Sequence, residues 1–141
     1  MKHEVSKSDL DFLAAFEAGA YAPADFSHRA HVRLAYVYLA TNDVERATAL
    51  MRAAILNFLK HHGITPTKYH ETLTHAWILA VFHFMHRTRE ALSADDFIDR
   101  TTILLDSRIM LTHYSADRLF SQHARAAFVE PDLDPIPRHA A

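Results

Sequence analysis

The sequence predicts an all-α fold: a compact bundle of about five helices, followed by short C-terminal helices and an extended tail. Three observations lead there. Apolar residues recur at three- and four-residue spacing along most of the chain, and almost no segment alternates with period two. Ser, Asp, Asn, Gly and Pro also fall where helices should start and stop. Ser8-Asp9-Leu10-Asp11 reads as a capped start, with Leu10, Phe12, Leu13 and Phe16 as an apolar stripe that Gly19 terminates. Pro23 and Asp25 sit in a connector, and Ser27 caps a second helix over about residues 28–41. Asn42-Asp43 restarts the chain into a third helix through Leu50, Ala54, Ile55, Phe58 and Leu59, stopping at His62-Gly63. Pro66 ends the next connector. A fourth helix covers roughly 68–91 and is apolar around much of its circumference, which places it in the middle of the bundle. Ser93 with Asp96 has the spacing of a capping box for a fifth helix, about 94–111. Ser115-Ala116-Asp117 opens one or two short helices reaching Phe128, and Pro131, Pro135 and Pro137 keep the tail from being helical.

At 141 residues, one domain over 1–141 is expected, with 131–141 as its extended tail. The tail carries Leu133 and Ile136 and is expected to lie along the bundle surface or against a second copy in a homodimer. The absence of Cys excludes disulfide scaffolds, thiolate nucleophiles and iron–sulfur ligation. A formal charge of −2 gives no bulk attraction for nucleic acid or an anionic membrane, so neither is an expected partner. Two glycines leave no material for a phosphate-cradling loop. No apolar run approaches a membrane span and no secretory signal opens the chain, so a cytoplasmic protein is the expectation.

The surplus residue is histidine, 12 in all. On a helical wheel His28 and His31 share the arc of Val32, Leu34, Ala35, Tyr38 and Leu39, while Arg29 and Arg33 lie opposite. His70 lies in line with Leu73, Thr74, Trp77, Val81 and Phe84, and Glu71 and His75 share the adjacent stripe. In an up-and-down bundle one end then gathers His28, His31, His61 or His62, His70, Glu71, His113 and Tyr114. Helix N-termini disfavour imidazolium, and neutral imidazole is what a metal or a general base needs.

The expectation is therefore a metal site of His28, His31 and His70, with Glu71 as a fourth ligand or base. Tyr69, His113 and Tyr114 would handle protons, and Arg29 and Lys68 would bind an anionic group of a small-molecule substrate. A thiolate-free N/O set suits zinc, iron, manganese, nickel or copper alike. Neither Glu-x-x-His nor His-Glu-x-x-His occurs, since Glu71 to His75 has one residue too many for both, which disfavours di-iron carboxylate and zinc-protease chemistry. His3, His83, His86, His123 and His139 read as surface residues. His75 fits either face, and His61-His62 suits a solvated helix C-terminus.

The segments Phe26-Ser27-His28-Arg29-Ala30-His31, Lys68-Tyr69-His70-Glu71-Thr72, His113-Tyr114-Ser115 and Phe128-Val129-Glu130-Pro131-Asp132-Leu133 resemble a group of small bacterial all-helical proteins of unassigned function. The resemblance covers most of the chain and implies no activity. Three function classes remain open on sequence. They are a small metal-dependent enzyme, a cofactor-free acid–base lyase, isomerase or hydratase using the same His/Glu/Tyr cluster, and a non-enzymatic metal-binding, haem-binding or pH-sensing protein.

Overall fold

The computed structural model describes Lys2–His139 and contains helices without any strand among the described residues. The major helices are α1 (Lys7–Glu17), α2 (His28–Thr41), α3 (Val44–His61) and α4 (Glu71–Arg87). Shorter ones follow: α5 (Ala94–Arg100), α6 (Ala116–Leu119) and α7 (Gln122–Ala126), with 3-10 turns at 23–25, 66–68, 102–105 and 107–112. The all-α expectation holds. No helix among the described residues is long and apolar enough to cross a membrane.

Capping chemistry sets most boundaries. Ser6, not Ser8, starts α1: its hydroxyl accepts from the Asp9 amide while the Asp9 carboxylate accepts from the Ser6 amide, a reciprocal capping box. Asp9 is almost fully buried and also takes the Ala94 amide and Arg33 Nε, so one carboxylate ties α1 to α2 and α5. Burial raises its pKa, but those amide and guanidinium bonds outweigh burial and hold it below the ordinary Asp range. Ser27 and Asp43 cap α2 and α3 as expected. The two residues between α2 and α3 let α3 double back against α2.

Two expected helices are shorter than their apolar patterns. The fourth begins at Glu71 instead of 68, because Pro66–Lys68 closes a 3-10 turn and Tyr69 and His70 are extended. The His70 ring then caps the helix through Nδ1, which accepts from the Leu73 amide at 3.1 Å. The fifth stops at Arg100. Thr101 turns its hydroxyl back onto the Phe97 carbonyl, and the β-branched run Thr101-Thr102-Ile103 continues as 3-10 turn. Ser93 caps α5, but the Asp96 carboxylate reaches the Leu92 amide, so the reciprocal box is incomplete.

The core centres on α2 and α4, which pack on each other and on α3. Phe16 of α1 is fully buried and stacks on Phe58 at 4.6 Å between ring centres. Gly19 ends α1 with φ +75, and a Cβ there would stand 2.4 Å from the His61 ring, so both conformation and space demand glycine.

The tail lies on its own bundle. Tyr114 donates to the Val129 carbonyl at 2.7 Å, Ser115 holds Asp132 through both its amide and hydroxyl, and the Leu133 amide bonds the His113 carbonyl. Thr72 on α4 donates to Ala127 and accepts from Val129, and Ile136 is buried. Removing residues 131–141 is therefore expected to cost about 3–5 kcal/mol, from the lost Ile136 burial and the largely exposed hydrogen bonds of Asp132, Leu133 and Asp134. Thermal denaturation followed by circular dichroism checks this, and an unchanged Tm would mean the tail adds nothing to the bundle.

Candidate functional site

Of the three histidines expected to share a metal, His28 and His70 hydrogen-bond backbone groups, and His31 makes ring contacts without a hydrogen bond among the described residues. His70 has both nitrogens spent: Nδ1 on the Leu73 amide, and Nε2 donating to the Leu119 carbonyl at 2.7 Å. His28 donates Nε2 to the Leu104 carbonyl at 2.8 Å and sets its ring against Trp77. His31 lies in an aromatic setting with Phe26, and its ring centre is 6.2 Å from that of His28. Burial, with the His28 charge second, pushes His31 down to about 4, so it stays neutral. Among the described residues no group of three or more His, Cys, Asp or Glu side chains is placed to hold a metal ion. The helical wheel puts these rings at one end, but it carries no sign of the backbone carbonyls from later turns that claim them.

The other expected site residues divide. His113 and Tyr114 anchor the tail, His113 Nδ1 meeting the Asp134 carbonyl at 2.7 Å. Burial pushes the Tyr114 hydroxyl up to about 12. Arg29 is paired with Asp95 and Asp99 on α5, so its charge is met by carboxylates of the fold. Lys68 lines a small cavity of about 300 Å³ together with His31 and His70. His3, expected on the surface, is a buried core residue: Nε2 donates to the Met85 carbonyl and Nδ1 accepts from the Ala91 amide.

Glu71 and Tyr69 do come together, around a residue that the sequence pattern does not single out. Arg52 of α3 grips Glu71 with a two-pronged ion pair, Nε to Oε1 at 2.8 Å and Nη2 to Oε2 at 2.5 Å. Tyr69 donates to Glu71 Oε1 at 2.7 Å. The Arg52 hydrogen bonds, helped by Tyr69, hold the Glu71 carboxyl below the ordinary range against its burial. Burial and the Glu71 bond raise the Tyr69 hydroxyl well above the phenol range. Glu71 is thus a fixed anion and Tyr69 a fixed donor at neutral pH. A buried charge at the first position of an apolar helix needs a cation, and Arg52 borders the buried Thr48–Met51–Ile55 face of α3. That requirement was the legible signal for Arg52.

The cluster stands between two cavities. One, of about 790 Å³, is lined by Arg52, Tyr69, Glu71, Gln122, Arg125 and Phe128 among others. The second, of about 570 Å³, has Arg52 and His75 on one side and tail residues Pro137, Arg138 and His139 on the other, with Leu79 and Phe82 as apolar wall. His75 packs its ring on Phe128 at 4.1 Å between centres. It makes no hydrogen bond among the described residues, yet neither ring nitrogen is sealed from solvent; His62 Nε2 is the described side-chain atom that is buried without a partner. Burial, then Arg138 and Arg52, hold the His75 pKa below the ordinary value, with Glu71 opposing. His75 is therefore a neutral imidazole with unspent nitrogens on a cavity wall, beside a guanidinium whose Nη1 lies outside the Glu71 pair.

Comparison with known proteins adds no relative: no family model matches the chain, and neither a curated protein nor a solved structure matches it.

Proposed function

We propose that the protein is a cofactor-free acid–base catalyst acting on a small carbonyl-bearing molecule in the His75–Arg52 cavity. One observation carries this reading: a neutral histidine with free nitrogens shares a partly apolar cavity with a guanidinium that a buried carboxylate holds in place. His75 takes a proton from carbon next to the carbonyl, the electron pair moves onto the carbonyl oxygen, and Arg52 N–H stabilises that oxygen's charge. In a β,γ-unsaturated carbonyl compound, return of the proton from His75 to the γ carbon of the dienolate completes an isomerisation; where a β-substituent is present, its departure with the enolate electron pair and the His75 proton completes an elimination. Glu71 and Tyr69 position Arg52 and touch no reacting atom in this scheme. Leu79 and Phe82 receive the apolar part of the substrate.

Proton exchange tests this without a named substrate. The protein is incubated in D₂O with a panel of small 2-oxo and 3-oxo acids, aldehydes and ketones, each followed by mass spectrometry. Deuterium uptake or conversion above the protein-free control is expected for at least one compound. A panel in which no compound exchanges or reacts faster than its control would contradict the reading.

A further inference from the structure

The second cavity is closed on one side by the tail, whose His139 joins a set of stacked histidines there. His83 and His86 stand one turn apart on α4, and His139 lies against both. The His139 ring is parallel to His86 at 4.4 Å between centres, with 9° between planes, and 5.0 Å from His83. His83 Nδ1 and His139 Nε2 are 2.7 Å apart, a hydrogen bond that needs one proton between the two nitrogens. The sequence pattern puts all three on the surface without a role. Pro137, Arg138 and His139 are also the tail residues that line the His75 cavity. We propose that His83, His86 and His139 form a proton-released latch that holds the tail across this cavity at neutral pH and frees it in acid.

The chemistry follows from the hydrogen bond. A neutral pair makes it, and a singly protonated pair keeps it, but two imidazolium rings have no lone pair to share and repel at this distance. The charged groups nearby add little relief. Arg87 on α4, His3 of the N-terminal segment and Arg138 in the tail are basic; Glu130 is spent on Arg138, and Glu45 of α3 is the remaining carboxylate on the cavity lining. Burial first, then the His139 charge, lowers both His83 and His86. Groups with lowered basic pKa values favour the docked tail above the released-state value of about 6.5 and disfavour it as pH falls through the docked values. Because the bond survives one proton and not two, release follows the second protonation of the His83–His139 pair.

Backbone amide ¹⁵N relaxation of Arg138 and His139, from pH 7.5 to 5 in EDTA-containing buffer, tests the latch. The expected result is an order parameter near the rigid value of about 0.85 at pH 7.5, falling below about 0.6 by pH 5. In the H83Q/H86Q double variant, whose amides carry no titrating charge, the change between these pH values should shrink at least threefold. Equal order at both pH values would overturn the proposal, as would a transition of the same size in the double variant. That the latch governs access to a catalytic cavity rests on the function proposed above. The relaxation measurement uses no substrate, so the latch and that function can each fail alone.

Discussion

His75→Gln is expected to lower turnover of the substrate found in D₂O by about 10²–10⁴-fold, the usual contribution of a positioned acid–base group. The fold should survive the change. His75 is half-buried and hydrogen-bonded to none of the described residues, and its ring contact with Phe128 is worth about 1 kcal/mol. A Tm within a few degrees of wild type therefore accompanies the loss of activity. The pH profile gives a second readout. Because burial and two guanidiniums hold His75 below its ordinary pKa, the base form is already dominant at neutral pH. Activity should rise from the acid side and level off by about pH 7. Wild-type turnover in His75→Gln, or a profile still rising well above neutral pH, would remove His75 from the chemistry.

Arg52→Ala is expected to be the most damaging substitution at the cluster for stability. It leaves the nearly buried Glu71 carboxylate with only the Tyr69 hydroxyl and the start of α4 for support. Stranding one member of a buried pair costs about 3–5 kcal/mol, and the half-exposed guanidinium side argues for the lower end, about 3 kcal/mol. For a chain of this size that is a Tm lower by about 10 °C. Glu71→Gln should cost less, about 1 kcal/mol, since the amide keeps a bond to Tyr69 and the charge left without its partner, on Arg52, is half exposed to water. The double variant R52A/E71Q should then be more stable than R52A alone, a non-additivity read directly in a double-mutant cycle by chemical denaturation. Additive costs would mean that Arg52 and Glu71 do not act as a unit.

How much of this was legible in sequence follows the range of the interactions. The helix starts at Ser27 and Asp43 are set by hydroxyl and carboxylate bonds three residues away, so they read correctly. The ends of α4 and α5 depend on Thr101 folding back and on His70 acting as a cap, choices that the apolar pattern does not encode. Facing was right for His28 and His70, whose rings point inward, but a wheel reports direction and not partner. Leu104 and Leu119 carbonyls, more than 40 residues along the chain, each claim one ring nitrogen, Nε2 of His28 and Nε2 of His70. Glu71 and Tyr69 were found because both sit at the start of α4. Arg52 was missed because it is an arginine on an amphipathic helix, where solvent exposure is the ordinary outcome. His3 was missed because nothing near it in sequence announces the Met85 carbonyl and Ala91 amide that bury it.

The proposed chemistry turns on His75 being a neutral imidazole with unspent nitrogens, its charge state set by burial, Glu71 and the flanking arginines. Long-range ¹H–¹⁵N spectra of the histidine rings, recorded through a pH titration of wild type and Glu71→Gln, measure that directly. His75 is expected to titrate below the ordinary histidine value of about 6.5 in wild type and lower still in Glu71→Gln, because Glu71 is a carboxylate that raises it. Titration at or above the ordinary value, unmoved by Glu71→Gln, would contradict it.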